Sequence, residues 1–153
     1  MTSLRLCIRR SAVADPAGPA DRVELRLPSD VDCIEEAVAL LTHHCLAGTR
    51  AGGRMRFRLE VVLAEALANA ILRGNQEDPG KSVHVAVLLR APDIRIEVTD
   101  EGHGFDPSLV PEPATPHRIR EERGRGIFLI RHLADQVVFN ERGNSICAIL
   151  LRR

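Results

Sequence analysis

The chain has 153 residues, of which 44% are hydrophobic and 27% charged, a composition typical of one soluble domain with its own core. Its 21 basic and 21 acidic residues balance, so no overall field draws it to nucleic acid or membranes, and without Trp or Tyr it offers few rings for stacking bases. No apolar run is long enough to span a bilayer and no secretion signal opens the chain, so we expect a cytoplasmic protein.

The N-terminal region, residues 11–22, is rich in Ala, Pro, Gly and Asp, which predicts a flexible connector after a short tail. We therefore divide the chain into a tail and connector at 1–22 and one domain at 23–153. The domain opens with apolar residues in alternation, which predicts a half-buried strand: Val23, Leu25 and Leu27. A helix start at residues 28–30 follows, with apolar residues at helical spacing as far as residue 45.

The His43-His44-Cys45 run lies within this predicted helix. Adjacent helical residues point in different directions and do not converge on one ion, so we expect no metal there. The four cysteines are scattered without a CxxC pair, and a disulfide framework is not expected.

A second helix is predicted at residues 55–73, where apolar residues recur on one face. Glu65 and Asn69 are four residues apart and are therefore neighbours on the helix surface. They lie on the flank of the apolar stripe, a position that favours the edge of a cleft over open solvent.

Two strands of a hairpin are predicted at residues 82–90 and 94–100. Asp100 has the same parity as Ile96 and Val98, which places its carboxylate on the buried side where the second strand ends. Burying a charge requires partners. Two interpretations stay open, a carboxylate that caps the following turn and one that binds a ligand.

Glycine pairs mark the two segments that follow. Gly102 and Gly104 flank His103, in a hairpin turn, a metal-binding turn or a loop that a ligand approaches closely. Residues 107–123 carry four prolines without periodicity and predict a lid or binding loop. Gly124 and Gly126 then precede a predicted helix, whose N-terminus suits phosphate. A final strand pair is predicted at 137–140 and 145–151.

Three segments together resemble the boxes of a known family: EALANAILRGN, TDEGHGFDP and GRGIFLIRHLADQV. The first resembles the N box and the others the two glycine boxes of the histidine-kinase-like (GHKL) ATPase superfamily, in its anti-sigma-factor serine/threonine kinase branch. The resemblance covers residues 24–152. It implies a Bergerat-type α+β fold, a two-layer sandwich in which three helices cover one face of a mixed, mostly antiparallel sheet of four or five strands.

The resemblance also implies roles for individual residues. Asn69 would coordinate Mg²⁺ on the ATP phosphates, Asp100 would accept a hydrogen bond from the adenine amino group, and Glu65 would be the catalytic base. The glycines Gly102, Gly104, Gly124 and Gly126 would let the nucleotide approach the backbone, and the last two would also hinge the lid.

Several positions depart from the family pattern or are less defined. Arg73 stands where the family often has histidine, so it would either reach a phosphate or cover the helix end. Arg125 would steady the γ-phosphate. Ser145 is the nearest hydroxyl to a position where threonine is common, and His103 is expected to be exposed and non-catalytic.

The function that the resemblance implies is an ATP-dependent serine/threonine protein kinase that binds a sigma factor and phosphorylates a serine on a small protein that antagonises the anti-sigma factor. A homodimer is expected, without direct contact to nucleic acid or membrane. The alternatives are a non-catalytic module that sequesters a partner, and a switch whose lid reports the nucleotide state.

Overall fold

The computed structural model describes residues 6–50, 52–106 and 122–152, with the backbone alone for residues 122–124. A six-stranded sheet forms one layer and three α-helices form the other. The strands are β1 Cys7–Asp15, β2 Gly18–Pro28, β3 Ser82–Leu89, β4 Asp93–Thr99, β5 Gln136–Phe139 and β6 Ser145–Leu151. The helices are α1 Ile34–Leu46, α2 Gly53–Ala68 and α3 Glu122–Leu133. A 3-10 turn, Val31–Cys33, leads into α1, and a π-helical turn, Asn69–Gly74, extends α2.

The strands lie in the order β1-β2-β3-β4-β6-β5, and each described pair is antiparallel. The predicted α+β sandwich is confirmed. The sheet is larger than the predicted four or five strands because β1 joins one edge. No mixed pairing is present among the described strands, since the chain returns from α3 through β5 and a tight turn into β6.

The core lies between the helices and one face of the sheet. Residues predicted to alternate into it are buried in β2 and β4, among them Val23, Leu25, Ile94 and Ile96. Large side chains of α2 meet them from the other layer, including Leu59, Leu63 and Leu67. Burying each such side chain stabilises the fold by about 1.5–3 kcal/mol, so both layers depend on this contact.

The prediction of a flexible connector at residues 11–22 was wrong. Strand β1 pairs with β2 along its whole length, around a turn where the Ala17 N–H donates to Asp15 Oδ1 at 2.9 Å. Arg10 fixes the strand from the side, because it binds Asp21 at 2.6 Å and the His44 carbonyl oxygen at 2.7 Å. β1 is held by backbone pairing at a sheet edge and buries little, so its sequence shows no apolar alternation.

The described part of the chain contains no helix that is both long enough and apolar enough to cross a membrane.

Arg58 ties α2 to the end of α3. Arg58 is 8% exposed, and its side chain donates to the Leu133 carbonyl oxygen at 2.8 Å and to Asp135 Oδ2 at 2.7 Å. The same Asp135 oxygen accepts the N–H of Leu151 at 2.7 Å, so the arginine also connects the helices to β6.

Replacing Arg58 with methionine is expected to cost about 3 kcal/mol, because the carbonyl oxygens of Leu133 and Leu151 and the Asp135 carboxylate all lose the hydrogen bonds that this buried arginine donates. For a domain of this size that lowers the melting temperature by roughly 10 °C in a calorimetric scan. A variant that melts with the wild type would show that the ion pair contributes nothing to stability.

Candidate active site

A cavity of about 230 Å³ opens where α2, the end of β4 and the β5–β6 turn meet. Its apolar wall comes from both layers: Ala66, Ala70, Val98, Ile127, Phe139 and Ile146. Its polar lining includes Asn69, Arg73, Lys81, Asp100, Asn144 and Ser145. A concave apolar wall with a few convergent polar groups is typical of a small-molecule site.

The π-helical turn supplies one side of this cavity. Here the Asn75 N–H reaches back five residues to the Ala70 carbonyl oxygen at 2.8 Å, which widens the helix. Such turns occur frequently at functional sites. The turn begins at Asn69 and brings Arg73 and Gly74 to the cavity, so the predicted N box lies on a local departure from regular helix.

Asp100 lies at the end of β4 and lines the cavity, as its parity predicted. One carboxylate oxygen, Oδ1, accepts the Gly102 N–H at 2.8 Å. Among the described residues, none donates to Oδ2. Burial raises the pKa of this carboxyl, while the Gly102 hydrogen bond and the charges of Arg142 and Lys81 oppose the rise. Asp100 therefore caps the turn with one oxygen, while the ligand-binding interpretation stays a prediction.

Gly74 and Gly102 let the π-helical turn press against Asp100. A Cβ on Gly74 would overlap the Asp100 carboxyl group, and a Cβ on Gly102 would overlap the Gly74 carbonyl oxygen. Gly102 is buried behind the cavity wall. Its missing side chain serves this backbone contact, which differs from the expected contact with a nucleotide.

Gly104 has a different structural reason. It has a φ of +80°, and a Cβ there would overlap the Arg142 carbonyl oxygen. Gly143 in the β5–β6 turn makes the reciprocal contact: it has a φ of +76°, and a Cβ added there would overlap the Phe105 carbonyl oxygen. The two loops therefore interlock at the cavity. His103 is exposed at the rim, in agreement with its predicted exposure.

Glu65 and Asn69 meet α3 at Gly126. A Cβ on Gly126 would lie 2.9 Å from Glu65 Oε2 and 3.9 Å from Asn69 Nδ2, so glycine lets α3 come this close without displacing the Glu65 carboxylate. Arg58, which could have paired with Glu65, binds Leu133 and Asp135 instead. Among the described residues, none forms a hydrogen bond or ion pair with the Glu65 side chain.

The glycines of the second box lie inside α3, which corrects the prediction that they precede the helix. The described part of the helix starts at Glu122, and packing of Ile127 and Ile130 against α2 outweighs the cost of about 1 kcal/mol for each helical glycine. Gly124, Arg125 and Gly126 therefore lie within the helix. Arg125 is exposed.

Of the predicted lid, residues 107–121 lie outside the described residues. Ser145 lines the cavity, and its hydroxyl shares a hydrogen bond of 2.8 Å with that of Thr99.

Two asparagines of the site were missed by sequence reasoning. Asn144 joins the β5–β6 turn to Asp100, because its carbonyl oxygen accepts the Asp100 N–H at 2.9 Å and its Nδ2 donates to the Asp100 carbonyl oxygen at 3.0 Å. Asn75 is 1% exposed and joins the π-helical turn to the loop after Asp100. Asn144 could have been found from its place in the turn between the predicted strands at 137–140 and 145–151. Nothing in the local pattern marks Asn75 as buried.

The sequence profile of the histidine kinase-like ATPase domain family matches residues 27–150. The match covers most of the chain, and the chain belongs to this family.

The chain is also similar to individual curated proteins, with sequence identities of 27–30% for the three described next. The serine-protein kinase RsbW of Oceanobacillus iheyensis is 27% identical over 134 residues, which cover 80% of each chain. The anti-sigma F factor of Geobacillus thermodenitrificans is 28% identical over 98 residues, covering 62% of this chain and 66% of the relative. That of Oceanobacillus iheyensis is 30% identical over 93 residues, covering 58% and 64%. The chain thus spans slightly less than two thirds of these anti-sigma F factors.

Proposed function

We propose that this protein is an ATP-dependent serine/threonine protein kinase that acts as an anti-sigma factor. The observation that carries the proposal is the cavity itself, which Asn69 lines from the end of α2 and the half-buried Asp100 carboxylate lines from the end of β4, with Glu65 one helical turn before Asn69. Family membership and the names of the relatives support the same function.

Asp100 would select adenine. Its Oδ2 is an acceptor inside a partly apolar cavity, and adenine offers an amino group where guanine offers a carbonyl oxygen. A buried acceptor discriminates strongly because the wrong base leaves it unpaired. Val98 and Ile146 supply apolar surface beside it.

Asn69 and Arg73 would face the phosphates. In the described part of the chain, no group of three or more His, Cys, Asp or Glu side chains could hold a metal by itself. Mg²⁺ fits such a site, since it takes one or two protein oxygens and completes its octahedron with phosphate oxygens and water. The Asn69 amide oxygen would be its protein ligand, and the ion would neutralise phosphate charge.

Glu65 would act on the acceptor serine. The γ-phosphoryl group passes from ATP to the serine oxygen, and the hydroxyl proton goes to the Glu65 carboxylate. Phosphoryl transfer depends more on positioning and charge than on a strong base. The absence of a polar partner for Glu65 among the described residues leaves its carboxylate available for this task.

The partners would be a sigma factor, which the protein binds, and an antagonist protein, which it phosphorylates on serine. We also propose a cytoplasmic homodimer. The second candidate is a non-catalytic anti-sigma module that keeps the same fold. The sequence favours the kinase, because Glu65 stands one helical turn before Asn69, which lines the cavity, so both side chains that phosphoryl transfer would need are present.

Thermal unfolding with Mg-ATP, Mg-ADP and Mg-GTP tests the nucleotide site. Ligand at a hundred times its Kd adds about 2.7 kcal/mol, which raises the melting temperature by roughly 5–10 °C, and only adenine nucleotides should do so. Mass spectrometry of an added antagonist protein should then find phosphoserine. Adenine binding without phosphoserine would favour the sequestering module, free phosphate alone would favour a switch, and no shift would remove the nucleotide proposal.

A further inference from the structure

We infer that Asn75 is a positioning residue that holds the base-reading loop, Asp100 to Gly102, in place. The inference rests on the proposed nucleotide site and names a residue to which the family resemblance gave no role. Asn75 lies where the π-helical turn ends, just beyond Gly74.

The Asn75 side chain uses both of its ends. Its Nδ2 donates to Ser29 Oγ at 2.8 Å and to the Ser82 carbonyl oxygen at 2.9 Å, and its Oδ1 accepts the Glu101 N–H at 2.8 Å. At 1% exposure these bonds are shielded from water. One asparagine thus joins the end of β2, the start of β3 and the loop after β4 to the end of α2.

The bond to Glu101 is the one that bears on the ligand. Glu101 follows Asp100 directly, and the next residue, Gly102, donates the hydrogen bond that orients the Asp100 carboxyl group. The Gly74 carbonyl oxygen lies against Gly102 from the other side. Asn75 therefore connects the two segments that contact the Asp100 carboxylate, the loop that contains Gly102 and the end of the π-helical turn at Gly74.

The backbone around Asn75 is under strain that its contacts must oppose. Gln76 and Glu77 follow with φ values of +53° and +57°, a region that costs non-glycine residues energy. The Glu77 N–H bonds to the Ile71 carbonyl oxygen at 2.9 Å, which closes this turn over the helix end. Gln76 also lines the cavity, so the strained turn is part of its wall.

A second chain of bonds runs from the same residue to Lys81. Ser29 Oγ, which accepts from Asn75, donates to the Lys81 carbonyl oxygen at 2.8 Å. Lys81 lines the cavity and its charge acts on Asp100. The two sets of hydrogen bonds can be tested separately. Ser29 takes part only in the bonds that lead to Lys81, whereas Asn75 takes part in these and in the bond to Glu101.

The test is base discrimination, measured as the ratio of the Kd for Mg-GDP to that for Mg-ADP. Asn75→Ala frees the Glu101 N–H and is expected to weaken Mg-ADP binding about tenfold or more, the equivalent of one lost buried hydrogen bond, and to move the ratio toward 1. Titration calorimetry at a temperature well below unfolding gives both constants. Arg58→Met is the stability control, since it loosens the opposite end of α2 and should keep the wild-type ratio.

If Asn75→Ala does not fold, Asn75→Ser replaces it in the test. Serine retains a hydroxyl in the buried position but is too short to reach the Glu101 N–H, so the ratio should change in the same direction. Ser29→Ala should keep the ratio, because the bond to Glu101 remains. An unchanged ratio in the Asn75 variants, or an equal change in Arg58→Met, overturns the positioning role. Wild-type protein that binds neither nucleotide overturns the nucleotide site, and wild-type protein that binds both equally overturns adenine selection by Asp100; either result removes the positioning role as well.

Discussion

Replacing Asp100 with asparagine is expected to weaken Mg-ADP binding about 100-fold, because the variant loses a charged acceptor for the adenine amino group inside a partly buried site. Asparagine keeps the size of the side chain and an oxygen for the Gly102 N–H, so the loop should keep its conformation. Calorimetric titration of Mg-ADP measures the effect. Equal affinity in the variant and the wild type would contradict the base-reading role.

The same substitution has a second consequence for the unliganded protein. Burial raises the pKa of Asp100 above its ordinary value of 3.8, so the folded state holds this proton more tightly than the unfolded state. The stability that Asp100 contributes is therefore present below pH 3.8 and lost as pH rises through the folded pKa. At pH 7 Asp100→Asn should melt above the wild type, and the difference should shrink as pH falls toward 4. A variant that melts below the wild type at pH 7 would contradict this sign.

Replacing Glu65 with glutamine is expected to lower phosphoserine formation by roughly 10²–10⁴-fold and to leave the Kd for Mg-ATP unchanged. Glutamine has the same shape and fits beside Gly126, but it cannot take the serine proton. Initial rates with an antagonist protein give the first quantity, and titration gives the second.

Glu60→Gln is the matched control. It makes the same chemical change on the same helix, where Glu60 forms a partly exposed ion pair with Arg56 at 3.7 Å. Loss of activity in both variants would point to a general effect on α2, and full activity in Glu65→Gln would remove the base role.

The parts of the fold that bury a regular face were predictable. Helices α1 and α2 and strands β2, β3 and β4 place apolar residues in the core at their own periods, and the period alone revealed them. The same reasoning put Asp100 at a buried strand end and Glu65 beside Asn69. The spacing of apolar residues predicts these elements because each of them buries one face in the same core.

Features that depend on contacts between distant residues could not be predicted this way. Strand β1 is stabilised by pairing with β2 and carries no apolar face to detect. Gly102 is required by the Gly74 carbonyl oxygen, and Asn75 by Ser29 and Glu101. These partners are distant in the sequence and come together only in the folded chain, so the local sequence pattern does not predict the contacts.

The sheet order bears on when the cavity becomes complete during synthesis. Strand β6 is inserted between β4 and β5, and Ser145 and Ile146 at its start belong to the cavity wall. A growing chain that still lacks this strand has no partner for β5 and one side of the cavity missing. A chain that lacks residues 145–151 should therefore not form the complete cavity, even where the helices and the other strands are present.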